Sequence, residues 1–154
     1  MKLNKLPEAA LEYLEMGWSV IPIKGIAYAQ GDTEEEKARD SKKPLISWLE
    51  FQKRHPTKEE IRRWWKKYPD ANVAIVTGKI SGIVVVDFDS KEAIEFAKKN
   101  NFDKAPLVET KRGYHAYYKY QEGVGNKVNV AGVKLDLRGD GGYVIAPPSK
   151  FYPK

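Results

Sequence analysis

Residues 82–89, Gly-Ile-Val-Val-Val-Asp-Phe-Asp, constrain the fold more than any other stretch. Residues 83–86 are all β-branched and apolar, which favours extended backbone. The run is continuous rather than alternating, so it predicts a strand buried on both faces inside a sheet. It ends in Asp87 and Asp89. In extended chain these two carboxylates share one face, while Val84, Val86 and Phe88 point the other way. Two carboxylates brought to about 4 Å at an effective dielectric near 20 repel by about 4 kcal/mol. A divalent cation would offset that repulsion with oxygen ligands. The plainer alternative is that Asp89-Ser90 opens the next helix and Asp87 is solvated.

The remaining elements follow from periodicity and caps. Residues 6–16 predict a helix, with Pro7 in its first turn and Gly17 at its end. Residues 18–23 predict a short strand. Residues 24–43 predict a long polar connection, with the highly charged stretch 32–43 as a mobile loop. Residues 45–52 form a short amphipathic piece. Thr57-Lys-Glu-Glu60 is a capping box. In the helix after it, Ile61, Trp64, Trp65 and Tyr68 form a core stripe, and Arg62, Arg63, Lys66 and Lys67 fall on a solvated face. A nucleic-acid-facing role for those four cations is the lesser reading. Residues 72–76 predict a strand and 90–100 a helix capped by Ser90. Residues 107–110 and 114–120 predict strands joined by the turn Lys111-Arg112-Gly113. Residues 133–138 and 143–146 predict a hairpin around Asp140-Gly141-Gly142. The mixture points to an α+β domain with a mixed, largely antiparallel sheet and flanking helices.

Composition narrows the chemistry. The 154-residue chain is 42% hydrophobic, enough for a core, and its longest apolar run is far too short to span a membrane. It has no cysteine, which excludes disulfides, a Cys nucleophile and Cys-ligated metals. Two histidines exclude a His-rich metal site. No glycine-rich phosphate loop is present. The net charge of +6 fits a polyanionic partner as readily as a well-solvated surface. Scarce Gln beside abundant Lys and Glu leans towards a thermophilic source.

Two further strands carry candidate functional groups. In residues 133–138 the apolar side chains alternate with Lys134, Asp136 and Arg138, offering a third carboxylate two residues from an arginine. Convergent carboxylates suit metal-dependent phosphoryl chemistry, and an arginine fork suits a triphosphate. An ordinary surface Lys-Asp-Arg ladder is the alternative. His115 shares a strand face with Tyr117 and Lys119, beside the basic turn. It is either a half-exposed structural histidine or a phosphate contact.

Three runs together carry a resemblance: Ser81-Gly-Ile-Val-Val-Val-Asp-Phe-Asp89, Glu109-Thr-Lys-Arg-Gly-Tyr-His115, and Leu135-Asp-Leu-Arg-Gly-Asp-Gly-Gly-Tyr-Val-Ile-Ala-Pro-Pro-Ser149. Gly17-Trp18, Lys43-Pro44 with Trp48, and Trp64-Trp65 followed by Asn72 and Thr77-Gly78 fit in the same order. In these features the chain resembles the bifunctional primase–polymerase domain of the archaeo-eukaryotic primase superfamily, found in plasmid and viral replication proteins. The resemblance implies one catalytic domain over residues 1–154, shorter at its C-terminal end than its relatives, with a sheet arranged like an RNA-recognition motif. It implies a cytoplasmic, template-directed nucleotidyltransferase. Asp87, Asp89 and Asp136 would hold two Mg²⁺ or Mn²⁺ ions, and His115 would contact the incoming nucleotide. Arg138, Asn72, Lys43, Lys111 and Arg112 are carried over as nucleotide contacts. The implied partners are dNTP or NTP, a single-stranded DNA template or primer-template, and a helicase or accessory helical domain in a longer parent protein. The first motif departs from the common Asp-x-Glu of plasmid relatives, and the absence of cysteine excludes the usual zinc stem. A non-catalytic nucleotide-binding or nucleic-acid-binding module and a metal-dependent nuclease are the alternatives.

Overall fold

The computed structural model describes residues 5–101, 104–128, 132 and 135–150. The chain forms two compact units, one of residues 1–76 with 145–154 and one of residues 77–144. Among the described residues no helix is long and apolar enough to cross a membrane.

The first unit begins with helix α1 (Lys5–Glu15) and strand β1 (Ser19–Ile23). Short helices α2 (Gly25–Tyr28) and α3 (Glu34–Asp40) follow, then a 3-10 turn at Leu49–Gln52, helix α4 (Lys58–Lys67) and strand β2 (Asn72–Val76). β1 and β2 pair antiparallel with Ser19 opposite Val76 and Ile23 opposite Asn72. Every residue of both strands is buried. β1 is an edge strand, which is where Pro22 can sit without breaking a ladder. Its carbonyl still accepts from the Leu45 N–H at 3.0 Å. The third strand of this sheet is β7 (Tyr143–Ala146), whose Ile145 and Ala146 belong to this unit.

Helix α4 follows its sequence pattern. Thr57 Oγ1 accepts from the Glu60 N–H at 3.1 Å, and Glu60 accepts from the Thr57 N–H at 2.9 Å. Ile61, Trp64 and Trp65 are buried. Trp64 meets Phe51 edge-on at 5.0 Å, and Trp65 Nε1–H donates to the Ala71 carbonyl at 3.0 Å. The Arg54 guanidinium lies 4.7 Å from the Phe51 ring centre and donates to both Glu50 and Glu60. That guanidinium draws the Glu60 pKa down to about 2.

The expected mobile loop at 32–43 contains helix α3 instead. Thr33 Oγ1 accepts from the Glu36 N–H at 3.0 Å, and Glu36 accepts from the Asp32 N–H at 2.7 Å. Acids fill the first turn, and Lys37 and Arg39 fill the last, which suits the helix dipole. The helix buries no residue, so it has no apolar stripe to announce it. Its last residue, Asp40, accepts from Lys24 Nζ at 2.9 and 3.1 Å and from the Gln30 N–H at 2.8 Å. Lys24 holds that carboxyl below its usual range.

The second unit is a four-stranded sheet with one covering helix. Its elements are β3 (Ile83–Phe88), α5 (Lys91–Lys99), β4 (Leu107–Glu109), β5 (Tyr114–Lys119) and β6 (Leu135–Arg138), ordered β4-β5-β3-β6 with every neighbour antiparallel. β3, α5 and β4 form a crossover that leaves room for β5 between the two strands, the split βαβ layout of the RNA-recognition-motif type. Ser90 Oγ caps α5 by accepting from the Ala93 N–H at 3.1 Å. Ala93 and Ala97 bring the helix close to the sheet, where they pack with Val86, Phe88, Ala116 and Leu135. The α+β class therefore stands, with the strands divided between two sheets.

The expected hairpin of β6 with β7 does not form, because β7 joins β2. One edge of β6 pairs with β3, and Lys127 occupies the other through hydrogen bonds to Leu137 at 2.7 and 2.9 Å. Gly139 lets residues 124–125 lie against the chain just after β6, since a Cβ there would collide with the Val124 carbonyl. Residues 133 and 134 of the expected strand lie outside the described residues.

The Arg54–Glu60 contact makes the first unit acid-sensitive. A carboxylate with a lowered folded pKa stabilises fully above its ordinary value near 4.5 and loses that contribution as pH falls towards 2. Glu60→Gln should therefore melt below wild type at about pH 6 and converge with it near pH 2, as followed by thermal melts across pH. Thr57→Ala should lower stability by about 1 kcal/mol at neutral pH.

Candidate active site

Strand β3 occupies an inner position of the second sheet, and the register on its two sides decides what meets Asp87. Asp87 is opposite His115 on β5 and opposite Asp136 on β6, while His115 is opposite Val108 on β4. Directly opposed residues share a sheet face with Cβ atoms about 4.5–5.5 Å apart. The row Val108–His115–Asp87–Asp136 thus crosses all four strands on the face away from α5. The next row on that face holds Tyr117, Val85 and Arg138.

Each acid of the row has a basic neighbour. His115 Nε2 lies 3.5 Å from Asp87 Oδ1, an ion pair when the imidazole is protonated. The His115 side chain is only 8% exposed, and its Nδ1 is buried with no hydrogen-bond partner among the described residues. A buried ring nitrogen without a partner carries a desolvation cost that a bound donor or acceptor would remove. Arg138 Nη2 donates to Asp136 Oδ2 at 3.3 Å, and both side chains remain partly exposed. One guanidinium nitrogen is thus directed at Asp136, while the group as a whole offers five N–H donors.

Asp89 stands past the end of β3, beside the Ser90 cap, and is partly exposed. The β4–β5 turn presses against the same end of β3. Lys111 and Arg112 are exposed at its tip. Gly113 is required there because a Cβ would collide with the Phe88 carbonyl, with the Asp89 nitrogen 3.7 Å away. Thr110 and Gly113 tie the turn through Gly113 N–H to Thr110 Oγ1 at 3.1 Å and Thr110 N–H to the Gly113 carbonyl at 2.8 Å. The basic turn therefore sits at the acid-bearing end of β3. The Gly113 contact escaped the sequence reading, and its signal was a glycine immediately before Tyr114-His115 in a tight turn.

Lys43 and Asn72 belong to the first unit. Asn72 is buried, its Nδ2 donating to the Lys150 carbonyl at 2.6 Å and its Oδ1 accepting from the Lys150 N–H at 3.0 Å. Lys43 is largely exposed, 3.7 Å from Asp40.

With Asp87 flanked by His115 and Asp136 on one sheet face, the comparison with known families is decisive. The chain matches the family described as bifunctional DNA primase/polymerase, N-terminal, over residues 10–153. It belongs to that family. Among curated proteins none matches it. The match spans both compact units and includes every candidate site residue.

Membership implies nucleotidyl transfer with a divalent cation, and the residues can be tested for that fit. The donors are carboxylate oxygens, which suit a hard cation such as Mg²⁺ or Mn²⁺. Asp87 and Asp136 are juxtaposed by register. Among the described residues no three ligating groups are gathered closely enough to hold an ion, so Asp89 does not complete a set with the other two. The fit is thus one of donor chemistry and of a two-acid pair.

Gly113→Ala should lower the melting temperature by several degrees, on the scale of about 1–3 kcal/mol for forcing a methyl into occupied space. Gly125→Ala, where the nearest atom to an added Cβ is 4.0 Å away, should melt close to wild type. Parallel thermal melts of the two variants make the comparison.

Proposed function

We propose that this primase/polymerase-family chain adds nucleotides to a strand under the direction of a single-stranded DNA template. The row His115–Asp87–Asp136, set by strand register, is the observation that supports this reading most strongly. In the overall reaction the 3′-hydroxyl oxygen of the growing strand bonds to the α-phosphorus of the incoming nucleotide. The bond to pyrophosphate breaks, and the hydroxyl proton passes to solvent. No protein nucleophile is needed, in keeping with a chain that has no cysteine.

In this reading Asp87, Asp89 and Asp136 would hold two Mg²⁺ or Mn²⁺ ions, which requires Asp89 to move towards the Asp87–Asp136 pair. When bound, such ions lower the pKa of the attacking hydroxyl and stabilise charge on the transferring phosphoryl group. The chain's own groups position the nucleotide. His115 is oriented by Asp87 and presents a nitrogen to a phosphate oxygen. Arg138, steadied by Asp136, offers its remaining N–H donors to the triphosphate. Lys111 and Arg112 add positive charge at the same end of β3, where pyrophosphate charge develops. Lys43 and Asn72 are further nucleotide contacts in this proposal. For Asn72, that role requires its amide to exchange the Lys150 backbone for the nucleotide.

The deciding experiment is primer extension and primer-free synthesis, with dNTPs and NTPs supplied separately and Mg²⁺ or Mn²⁺ titrated. Metal-dependent incorporation supports the proposal. Release of monophosphate from DNA without added nucleotide would make the chain a nuclease, and nucleotide binding without incorporation would make it a binding module.

Asp87→Ala, Asp89→Ala and Asp136→Ala should each reduce incorporation by about 100-fold or more, the scale for losing one group that stabilises transition-state charge. Circular dichroism should show the fold retained. Wild-type rates in any one variant remove that residue from the site. His115→Ala should raise KM for the incoming nucleotide by about 10-fold or more, as expected for a lost hydrogen bond to a charged group. Unchanged nucleotide affinity with lost DNA affinity would reassign His115 to the template.

A further inference from the structure

Helix α4 carries four cations on its outer face: Arg62, Arg63, Lys66 and Lys67 are all exposed, while Ile61, Trp64 and Trp65 anchor the opposite side. The ion pairs of this unit involve Lys24, Lys37, Lys43, Arg54 and Lys58. Arg62, Arg63, Lys66 and Lys67 enter none among the described residues. The exposed acid of the helix, Glu59, lies in its first turn, and Glu60 is engaged by Arg54.

Local helix stability does not explain this face. Like charges at i, i+3 and i, i+4 destabilise a helix. Arg62–Lys66, Arg63–Lys66 and Arg63–Lys67 are all such pairs. Glu59, three residues before Arg62 and four before Arg63, offsets them at the N-terminal side only, and Lys66 and Lys67 have no acid at that spacing before them. Lys66 and Lys67 gain something from the helix C-terminus, but Arg62 and Arg63 lie nearer its middle. An i, i+4 alternation of acid and base would have given equal solubility with better helix stability. Four unneutralised cations in two turns instead complement a polyanion whose charges recur along a line.

Half-buried Tyr68 follows directly at the end of the helix. The Lys67 ammonium lies 5.3 Å from its ring centre, and Tyr28 packs edge-on against it at 5.4 Å. A row of cations ending at an aromatic ring is the pairing that single-stranded nucleic-acid surfaces use, with charge for the backbone and a ring face for a base. We propose that the exposed cationic face of α4, from Arg62 to Lys67, with the half-buried Tyr68 ring beside its end, is a docking surface for single-stranded nucleic acid. The inference rests on the template-directed reading above and assigns part of the template contact to a helix of the first unit.

The test is fluorescence anisotropy of the full chain with a labelled oligothymidine of about 20 nucleotides, across a salt series. Wild type should show a slope of log K against log salt of roughly −2 to −3.5, for about three to five phosphate contacts. Replacing Arg62, Arg63, Lys66 and Lys67 together by Gln should weaken binding at least about tenfold at low salt. It should also flatten the slope by roughly 0.7 for each contact removed. The paired variants R62Q/R63Q and K66Q/K67Q should each give part of that change, and they carry the test if the fourfold variant does not fold. Tyr68→Leu should weaken binding about fivefold or more with the slope unchanged, because stacking releases no counterions. Wild-type affinity and slope in the Gln variants would overturn the proposal. Duplex DNA displacing the probe better than a single strand, or unchanged affinity in Tyr68→Leu, would overturn the single-strand assignment. Incorporation by wild type is measured separately. A wild type that binds through α4 but incorporates nothing supports this surface while sinking the polymerase reading.

Discussion

The pairing of β3 with β5 and β6 is the constraint on which the candidate site depends. Asp87 gains His115 on one side and Asp136 on the other only because both antiparallel registers place those residues opposite it. A slip of one residue in either pairing would turn the partner strand over. His115 and Tyr117, or Asp136 and Arg138, would then face α5, and Ala116 or Leu137 would take their place. The apolar layer of Val86, Phe88, Ala116, Leu135 and the alanines of α5 prevents the slip, because the same movement would expose it. The chemistry on one face is thus held in register by the core on the other.

Where the reading from sequence succeeded, the signals were local. The continuous run 83–86 marked an inner strand, and Thr57 and Ser90 marked helix starts that the hydrogen bonds bear out. Alternation assigned Asp87, Asp136 and His115 to polar faces. It could not say that the three faces are one face, because register between strands some 20–50 residues apart is fixed by packing. Helix α3 escaped because a helix that buries nothing leaves no periodic trace, although Thr33 and Glu36 carried its cap. The false hairpin of β6 and β7 had a good turn signal. The competing partner for the β6 edge, Lys127, precedes the strand and shows no strand pattern of its own.

Charge is distributed unevenly over the chain. In the second unit both acids of the row Val108–His115–Asp87–Asp136 stand beside a basic group, so fields there are local and directed. In the first unit Asp40 and Glu60 collect their cations tightly, and both have lowered pKa values as a result. The outer face of α4 is the exception, with like charges set side by side on a helix already secured by two buried tryptophans. That core anchoring allows the helix to tolerate repulsion that would fray it in isolation.

The first unit is completed by the far end of the chain. Ser149 Oγ accepts from the Val73 N–H at 2.9 Å and donates to the Val73 carbonyl at 3.0 Å, and Lys150 closes on the Asn72 amide. Tyr13 donates to the Pro147 carbonyl at 2.6 Å. These contacts join residues 76 to 134 positions apart. During synthesis, β1, β2 and α4 emerge long before the residues that finish their sheet. The whole of 77–144, with its own sheet and core, is made in the interval. The second unit is therefore free to condense first, as an insertion within an unfinished host. The loop-closure entropy of the first unit falls sharply once that insertion is compact, because a folded segment holds its ends far closer than a free chain of the same length.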